Sequence, residues 1–348
     1  MTKILITGSA GFVGFHLVNK LVKEGYEITG LDNINDYYDV NLKYGRLLEA
    51  GINKEDIEYN KAVPSTKYDN YNFIKLDLSD RDNVLNLFES KKFDYVVHLA
   101  AQAGVRYSLI NPHAYIDSNV YGYLNILEGC RNHPVKHLIY ASSSSVYGAN
   151  KKIPFSEDDS VDNPVSLYAA TKKSNELFAY TYAHLYKIPS TGLRFFTVYG
   201  TWGRPDMAYF SFTKAILEGN PIQIFNHGKM KRDFTYIDDI TRALGLLITK
   251  PPVLADVSDF QGLTLPPARI FNIGNNTPVE LFDFISELET AVGKEAVKEY
   301  LPMQPGDVTA TYADLSKLEG EIGVMERTDI KNGISTFVNW FKDYYNYQ

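Results

Sequence analysis

The sequence predicts an α/β fold: a doubly wound parallel sheet, followed by a smaller mixed α/β lobe at the C-terminal end. Over the first two-thirds of the 348 residues, short apolar runs alternate with helical patterns, which is typical of βαβ units. After Gly200, proline, glycine and charged residues become more frequent and the apolar runs shorten. We therefore predict a sheet domain over residues 1–200, to which parts of 235–275 return, and a C-terminal lobe over 201–348.

The predicted parallel strands are short runs rich in apolar residues. Several are almost continuously apolar, as expected when helices cover both faces of a sheet. They span Ile4–Thr7, Glu27–Leu31, Asn72–Leu76, Tyr95–Ala100, Leu138–Ser142 and Thr191–Phe196.

Helices are predicted where apolar residues recur every three or four positions. In the first, Leu17, Val18 and Leu21 have this spacing, and Gly25 stands where a helix would end. The predicted helices are Phe12–Glu24, Leu42–Ala50, Ala114–Cys130, Leu167–Tyr186, Tyr209–Glu218, Asp238–Ile248, Val279–Ala291 and Ile334–Tyr345. The second lies in a long polar excursion over Asn35–Tyr71.

Composition excludes some classes of protein. The formal charge of −7 argues against a nucleic-acid binder, which needs a basic face. No stretch approaches the roughly 18 apolar residues that cross a bilayer, and the first residues do not resemble a signal peptide. The single cysteine, Cys130, lies in a helical pattern and is expected to be a buried thiol. We expect a cytoplasmic protein without a membrane segment or a metal site.

A glycine-rich turn, Gly8-Ser9-Ala10-Gly11-Phe12-Val13-Gly14, joins the first predicted strand to the first helix. Glycines let the backbone approach a pyrophosphate, which the positive end of the helix dipole then stabilises. Asp32 ends the second strand, where a carboxylate binds ribose hydroxyls and repels the 2′-phosphate of NADP. A plain tight turn would also contain glycines, but this strand–turn–helix context predicts a Rossmann domain that binds NAD.

A candidate catalytic pair, Tyr168 and Lys172, lies one turn apart on a predicted helix. Such pairs also occur by chance on helix surfaces, but this one follows a serine-rich strand end over Ser142–Ser145. A nearby ammonium and a positive nicotinamide ring would both lower the pKa of a tyrosine from its usual value of about 10. The spacing therefore predicts Tyr168 as a general base.

Further motifs cover nearly the whole chain and carry a family resemblance. With the glycine turn and the Tyr-x-x-x-Lys pair, they resemble the extended short-chain dehydrogenase/reductases that act on nucleotide sugars. These motifs are Leu99-Ala100-Ala101-Gln102, the serine run with Val146-Tyr147-Gly148, and Arg194-Phe195-Phe196. More narrowly, four stretches resemble the UDP-glucuronate 4-epimerases: Ala103–Ser108, Thr197–Gly200, Trp202–Ala208 and Asn226–Asp239.

The resemblance implies an NAD-dependent isomerase that converts UDP-glucuronate to UDP-galacturonate through a transient 4-keto sugar. In this interpretation Tyr168 is the base at the sugar 4-hydroxyl, Lys172 is its electrostatic partner, and Ser143 binds the 4-oxygen. The expected cofactor contacts are Gly8, Gly11, Phe12, Val13, Gly14, Asp32, Asn33, Asp77, Leu78, Leu99, Ala100, Ala101, Gln102, Asn119, Ser142, Tyr168, Lys172, Phe195 and Val198.

The resemblance also implies contacts to the UDP-sugar, with the diphosphate near Arg232, the uridine ribose near Asp307 and the uracil near Phe225. The expected substrate contacts are Arg106, Ser143, Ser144, Ser145, Thr197, Arg204, Phe225, Arg232 and Asp307. The family usually has an arginine three residues before Asp307. Here that position is Gln304, so part of the diphosphate clamp must come from elsewhere.

A uronic acid substrate is favoured by Thr197, because UDP-glucose 4-epimerases typically have asparagine at that position. A 6-carboxylate needs hydrogen-bond donors and a cation, and an arginine fork matches its geometry. Ser144, Ser145, Thr197 and Arg204 are the candidates. A surface ion pair or a phosphate contact stays open for Arg204, and capping of backbone groups stays open for the serines.

Other functions stay open as alternatives. An epimerase of neutral UDP-glucose or UDP-N-acetylglucosamine is the strongest of them. A 4,6-dehydratase or a uronate decarboxylase would carry acidic residues where this chain has Ser144 and Ser145. An NAD-binding sensor without chemistry would tend to lose the Tyr168–Lys172 pair. Relatives commonly pair helices such as Ala114–Cys130 and Leu167–Tyr186 into a four-helix bundle, so we expect a homodimer, although helices buried within one subunit would look the same.

Overall fold

The computed structural model describes residues 1–253, 265–303 and 309–347. Its strands among these residues are β1 (Lys3–Thr7), β2 (Glu27–Asp32), β3 (Ala62–Pro64), β4 (Tyr71–Lys75), β5 (Tyr95–His98), β6 (His137–Ser143), β7 (Ser190–Phe195), β8 (Thr197–Tyr199), β9 (Ile222–Phe225), β10 (Lys231–Tyr236), β11 (Ala268–Ile273), β12 (Pro278–Glu280) and β13 (Lys298–Leu301).

The α-helices cover both faces of the main sheet and build most of the lobe. They are α1 (Phe12–Lys23), α2 (Val40–Glu49), α3 (Arg81–Lys91), α4 (Pro112–Tyr115), α5 (Gly122–Asn132), α6 (Leu167–Tyr186), α7 (Ala208–Glu218), α8 (Ile237–Ile248), α9 (Leu281–Val292), α10 (Ser316–Ile322) and α11 (Ile330–Tyr345).

The main sheet has eight strands in the order β11-β7-β6-β5-β1-β2-β4-β3. Its neighbouring strands are parallel, except that β3 runs antiparallel to β4. The chain order reverses at β1, which lies between β2 and β5. In such a sheet the crevice at the carboxyl ends of these strands is the position where ligands bind. The predicted α/β fold with a doubly wound parallel sheet is confirmed.

Alternate residues of one strand build the core on the two faces of the sheet. Ile4 and Ile6 pack into the cluster that contains Leu17 of α1. Leu5, between them, packs into a second cluster with Phe88 of α3 and Leu127 of α5. Because successive side chains of a strand point to opposite faces, both faces of the sheet are covered by helices, as predicted.

The C-terminal part contains two smaller sheets. One has the order β12-β10-β8, and the other pairs β9 with β13. β8 lies within residues 1–200 but pairs with β10, whereas β11 joins the main sheet beside β7. The domain boundaries given above stay a prediction.

Two local features differ from the expected elements. The predicted helix Ala114–Cys130 begins earlier, at Pro112, because Asn111 caps it and proline fits the first turn. It also contains a π-helical stretch over Ile116–Tyr121 before α5. The polar excursion contains β3, which its sequence did not indicate. None of the helices in the described part of the chain is long and apolar enough to cross a membrane.

Candidate active site

The turn between β1 and α1 brings backbone segments so close that side chains do not fit. Gly8 has φ +74°, and a Cβ atom added to it would lie 2.8 Å from the backbone nitrogen of Ala100. A Cβ added to Gly14 would lie 2.1 Å from the carbonyl oxygen of Gly8. Both distances are far below van der Waals contact, so these two glycines are required by the packing of the turn itself.

The first turn of α1 faces a cavity at the carboxyl ends of the strands. Gly11, the residue before the helix, provides no side-chain cap, and Gly11, Phe12 and Val13 line the cavity. Backbone N–H groups at a helix start carry partial positive charge. The geometry therefore fits a pyrophosphate at this point.

Asp32 ends β2 beside this turn and is 7% exposed. Its Oδ1 accepts a hydrogen bond from the backbone of Ile34 at 2.8 Å, and its Oδ2 accepts one from the backbone of Ala10 at 3.2 Å. Each carboxylate oxygen has further lone pairs, so Asp32 is oriented and still able to accept bonds from ribose hydroxyls. The glycine cradle, the helix start and this carboxylate together fit NAD.

Asp77 follows β4, which pairs with the strand that ends at Asp32, and it is fixed by its neighbours. Asn33 donates a hydrogen bond to its Oδ2 at 2.8 Å, and Ser79 donates to its Oδ1 at 2.6 Å. Burial raises the pKa of this carboxyl, but these hydrogen bonds outweigh burial and the net pKa is lowered. Asp77 is therefore an ionised hydrogen-bond acceptor in the cavity wall at neutral pH.

The cavity wall contains nearly all of the expected cofactor contacts. Those present are Gly8, Gly11, Phe12, Val13, Gly14, Asp32, Asn33, Asp77, Leu78, Leu99, Ala100, Ala101, Gln102, Ser142, Tyr168, Lys172, Phe195 and Val198. Their binding roles stay predictions. The described residues show no group of three His, Cys, Asp or Glu side chains that could hold a metal ion.

Asn119 is the exception, because it lies behind this wall and is 1% exposed. Its Oδ1 accepts from the backbone nitrogen of Gln102 at 2.8 Å, and its Nδ2 donates to the carbonyl of Gln102 and to Thr171 Oγ1. Asn119 therefore ties the loop after β5 to helix α6. The expected role of Asn119 at the cofactor stays a prediction, and the structure connects it to the cavity wall through Gln102.

The catalytic candidates meet where β6 ends against the first turn of α6. Ser166 caps this helix by accepting a hydrogen bond from the backbone nitrogen of Ala169. Tyr168 shares a hydrogen bond with Ser143, and Ser143 Oγ also accepts bonds from Ser145. Lys172 is 2% exposed and donates from Nζ to the carbonyl of Ala141 at 2.8 Å.

The pKa of Tyr168 differs from the expectation. Its phenol lies in the cavity wall, and burial there raises its pKa above the ordinary value, despite the hydrogen bond from Ser143 and the charge of Arg204. Burial also lowers the pKa of Lys172 to about 8. Among the described residues, the cation that favours the phenolate is Arg204, and the expected combined effect of the Lys172 ammonium and the nicotinamide ring stays a prediction.

Arg204 lies in the cavity wall on the loop between β8 and α7. Its Nε donates to Oδ1 of Asp206 at 3.0 Å, and its Nη2 donates to Oδ2 at 2.5 Å. The buried side chain of Arg46 holds this loop by donating to the carbonyls of Trp202 and Gly203. Arg204 therefore forms an ion pair with Asp206 of the same chain. An ion pair was one of the alternatives left open for this residue.

Among the described residues, the remaining substrate candidates do not line this cavity. Ser144 and Ser145 begin a 3₁₀ turn, and Thr197 begins β8. Arg106 lies over the ring of Phe225, at 4.4 Å from its centroid, and Arg232 donates to the carbonyls of Lys231 and Thr309. Asp307 and the neighbouring Gln304 lie outside the described residues.

Several residues of this region were not identified from the sequence. Tyr37, Tyr38 and Lys43 line the cavity, and Arg46 and Asp206 support its wall. The position of Tyr37 shortly after the end of β2 was the available signal, because segments that follow parallel strands surround the binding crevice. No sequence pattern indicated Arg46, which donates to backbone carbonyls distant in the chain and to the hydroxyl of Tyr38.

Comparison with known proteins gives the family. The family model described as "NAD dependent epimerase/dehydratase family" matches residues 4–274. The chain belongs to this family. The match extends from β1 through β11 and so includes the whole main sheet.

Individual relatives cover almost the full chain. The UDP-glucuronate 4-epimerase 2 of Arabidopsis thaliana is 44% identical over 348 residues, which are 98% of this chain and 76% of that protein. The crystal structure of the UDP-glucuronic acid 4-epimerase from Bacillus cereus with UDP-glucuronic acid and NAD aligns with a TM-score of 0.84 at 32% identity, over 99% of this chain and 100% of that chain. A UDP-glucose 4-epimerase from Thermotoga maritima, solved with UDP-glucose, aligns at 28% identity with a TM-score of 0.81, over 99% of this chain and 100% of that chain.

Replacing Gly14 by alanine tests the cofactor turn. The added Cβ would press on the carbonyl of Gly8 and displace the turn, so we expect NAD affinity to fall by at least about tenfold. Isothermal titration with NAD measures this change. Gly320→Ala is the control, because a Cβ there meets no atom within 4 Å. Equal NAD affinity in both variants would contradict the pyrophosphate site.

Proposed function

We propose that this protein interconverts UDP-glucuronate and UDP-galacturonate by inverting C4 of the sugar. The observation that carries the proposal is the convergence of Ser143, Tyr168 and Arg204 on one cavity beside the NAD site. An arginine in this wall provides a cation for a sugar carboxylate. The 44% identity to an Arabidopsis UDP-glucuronate 4-epimerase supports the same substrate.

The chain's own groups provide the acid–base chemistry. Tyr168 takes the proton of the 4-hydroxyl while Ser143 holds the 4-oxygen, and the C4–H bond breaks as C4 becomes a carbonyl. NAD, when bound, supplies the hydride acceptor and the positive ring that adds to Arg204 in favouring the phenolate. After the keto sugar rotates, Tyr168 would give the proton back to the 4-oxygen, and the bound cofactor would supply the hydride to the other face of C4. No net oxidation occurs.

The 4-keto intermediate of a uronic acid is a β-keto acid, which loses CO₂ when its C5–C6 bond aligns with the carbonyl π system. Holding the carboxylate in another orientation suppresses this loss, which is a positioning effect. Arg204 is the candidate nearest the reacting phenol, because it lines the same cavity and its charge acts on Tyr168. Ser144, Ser145 and Thr197, which do not line the cavity, remain proposed as further donors.

Replacing Tyr168 by phenylalanine removes the proton acceptor. We expect kcat for conversion of UDP-glucuronate to fall by about 10²–10⁴-fold with NAD still bound, measured by chromatography of the sugar nucleotides. Tyr180→Phe on the same helix, whose side chain is 50% exposed, is the control. Unchanged conversion by the Tyr168 variant would exclude this mechanism.

Replacing Arg204 by alanine tests the carboxylate contact. We expect kcat/KM for UDP-glucuronate to fall by about 10–100-fold, the size of a lost charged hydrogen bond. UDP-glucose has no carboxylate, so its kcat/KM should fall less, and only through the lost charge beside Tyr168. Arg81→Ala, a surface ion-pair variant, is the control. Equal losses for the two substrates would remove the assignment.

Epimerisation of a neutral UDP-sugar is the second candidate. The likeness to a UDP-glucose 4-epimerase with a TM-score of 0.81 favours it, since the two activities occur on one fold. Incubation with UDP-glucuronate and, separately, with UDP-glucose distinguishes the two. Formation of UDP-galacturonate supports the main proposal, and turnover of UDP-glucose alone supports the second.

The protein is further proposed to act as a homodimer. Helix α6 packs beside the segment over residues 112–132 within the subunit, and both carry exposed apolar side chains. These are Ile116, Tyr121, Leu177, Tyr180, Leu185 and Tyr186, each at least 40% exposed. Two such faces from two subunits would bury one another as a four-helix bundle.

The single buried cysteine supports the proposed cytoplasmic location.

A charge placed on α6 tests the dimer. Leu177→Glu should shift the mass measured by light scattering from two chains to one, because a carboxylate cannot be buried unpaired in an apolar interface. Leu48→Glu is the control, since Leu48 is 62% exposed on α2, away from this face. A two-chain mass for Leu177→Glu would argue against this interface.

A further inference from the structure

Three segments far apart in the sequence meet at the mouth of the cavity. Tyr37 comes from the chain after β2, Tyr107 from the chain after β5, and Asp206 from the loop that carries Arg204. The hydroxyl of Tyr37 donates to Oδ2 of Asp206 at 3.1 Å. Its ring packs against Tyr107 with 4.8 Å between centroids. Burial and the charge of Asp206 raise the pKa of Tyr37 to about 12, so its hydroxyl stays protonated and can donate.

Asp206 binds one edge of the Arg204 guanidinium. That edge consists of Nε and Nη2, which donate to the two carboxylate oxygens. Within the described part of the chain, Nη1 donates to no carboxylate or carbonyl, and the guanidinium also faces the hydroxyl of Tyr37. The other edge of a guanidinium that lines the cavity is therefore available to a ligand.

We propose that Asp206 and Tyr37 are positioning residues that fix Arg204 so that its Nη1 edge meets the substrate carboxylate in a single orientation. This inference rests on the proposed function. An arginine side chain without such partners has many rotamers, and part of its binding energy is lost in ordering it. The carboxylate of Asp206 also repels a second carboxylate, so the uronate is directed to the edge that Asp206 does not occupy.

The same pair acts on the reacting phenol. The groups that face Tyr168 are Ser143 through a hydrogen bond, Tyr115 with its ring centroid at 6.0 Å, and the opposite charges of Arg204 and Asp206. Lys172 follows on the same helix and donates to Ala141. Arg204 favours the phenolate of Tyr168, and Asp206 opposes it. Removing the charge of Asp206 therefore lowers the pKa of Tyr168, an effect that a purely structural residue would not have.

Two variants separate position from charge. Asp206→Asn removes the negative charge and one of the two carboxylate acceptors that bind the Arg204 guanidinium. Tyr37→Phe removes the hydrogen bond from Tyr37 to Asp206 but leaves the charge of Asp206.

The first readout is the fraction of turnovers that release CO₂, followed by NMR with UDP-glucuronate labelled at C6. In this side reaction the C5–C6 bond breaks, its electron pair forms the enolate of the 4-ketone, a proton from water completes a UDP-4-keto-pentose, and the hydride from C4 stays on the cofactor.

We expect this CO₂ fraction to rise at least about threefold in both variants, the change that corresponds to losing one hydrogen bond. The second readout is the pH dependence of kcat at low salt. Its acid limb should move to lower pH by about 0.3–1 unit in Asp206→Asn and stay in place in Tyr37→Phe. Asp82→Asn, on the surface, makes the same change of net charge and should alter neither readout.

An unchanged CO₂ fraction overturns the role of the residue replaced, and an unmoved acid limb in Asp206→Asn overturns the charge effect on Tyr168. If Asp206→Asn does not fold, Tyr37→Phe still decides the positioning role. The wild-type protein separates the two proposals. Failure of the wild type to convert UDP-glucuronate would refute the proposed function, whereas normal conversion with unaffected variants would refute only this inference.

Discussion

The burial of one phenol is the constraint on which the chemistry of this protein depends. Tyr168 must lose and regain a proton, yet its position at the junction of β6 and α6 raises its pKa. Burial penalises the phenolate, so charges around it must compensate. Within the chain the compensating cation is Arg204, and the same burial lowers the pKa of Lys172 to about 8. With a pKa of about 8, most of the Lys172 ammonium stays protonated at neutral pH.

The fold explains how these groups come together. Reversal of strand order at β1 opens a crevice at one edge of the sheet, and the glycine turn, Asp32 and the end of β6 all lie there. The cofactor site is thus built from consecutive βα units. The wall that carries Arg204 belongs to a later loop, and Arg46 secures that loop through backbone carbonyls. The cofactor crevice and the wall that carries Arg204 therefore belong to one cavity.

The sequence was sufficient for the α/β fold and the NAD cofactor, because local patterns determine both: apolar strands, a glycine turn and an acid at a strand end. It failed where the outcome depends on contacts between distant segments. The sequence did not indicate that Asn119 binds the backbone of Gln102, which lines the cavity. The partnership of Tyr37 with Asp206 joins residues 169 positions apart and leaves no local signal. The site roles themselves stay predictions.

The most direct test of the central claim follows the hydrogen at C4. UDP-glucuronate carrying deuterium at C4 should give UDP-galacturonate that keeps the deuterium at C4, because hydride leaves and returns to the same carbon while Tyr168 handles only the hydroxyl proton. NMR of the product in ordinary water measures the label. Loss of the deuterium to solvent during conversion would contradict the account.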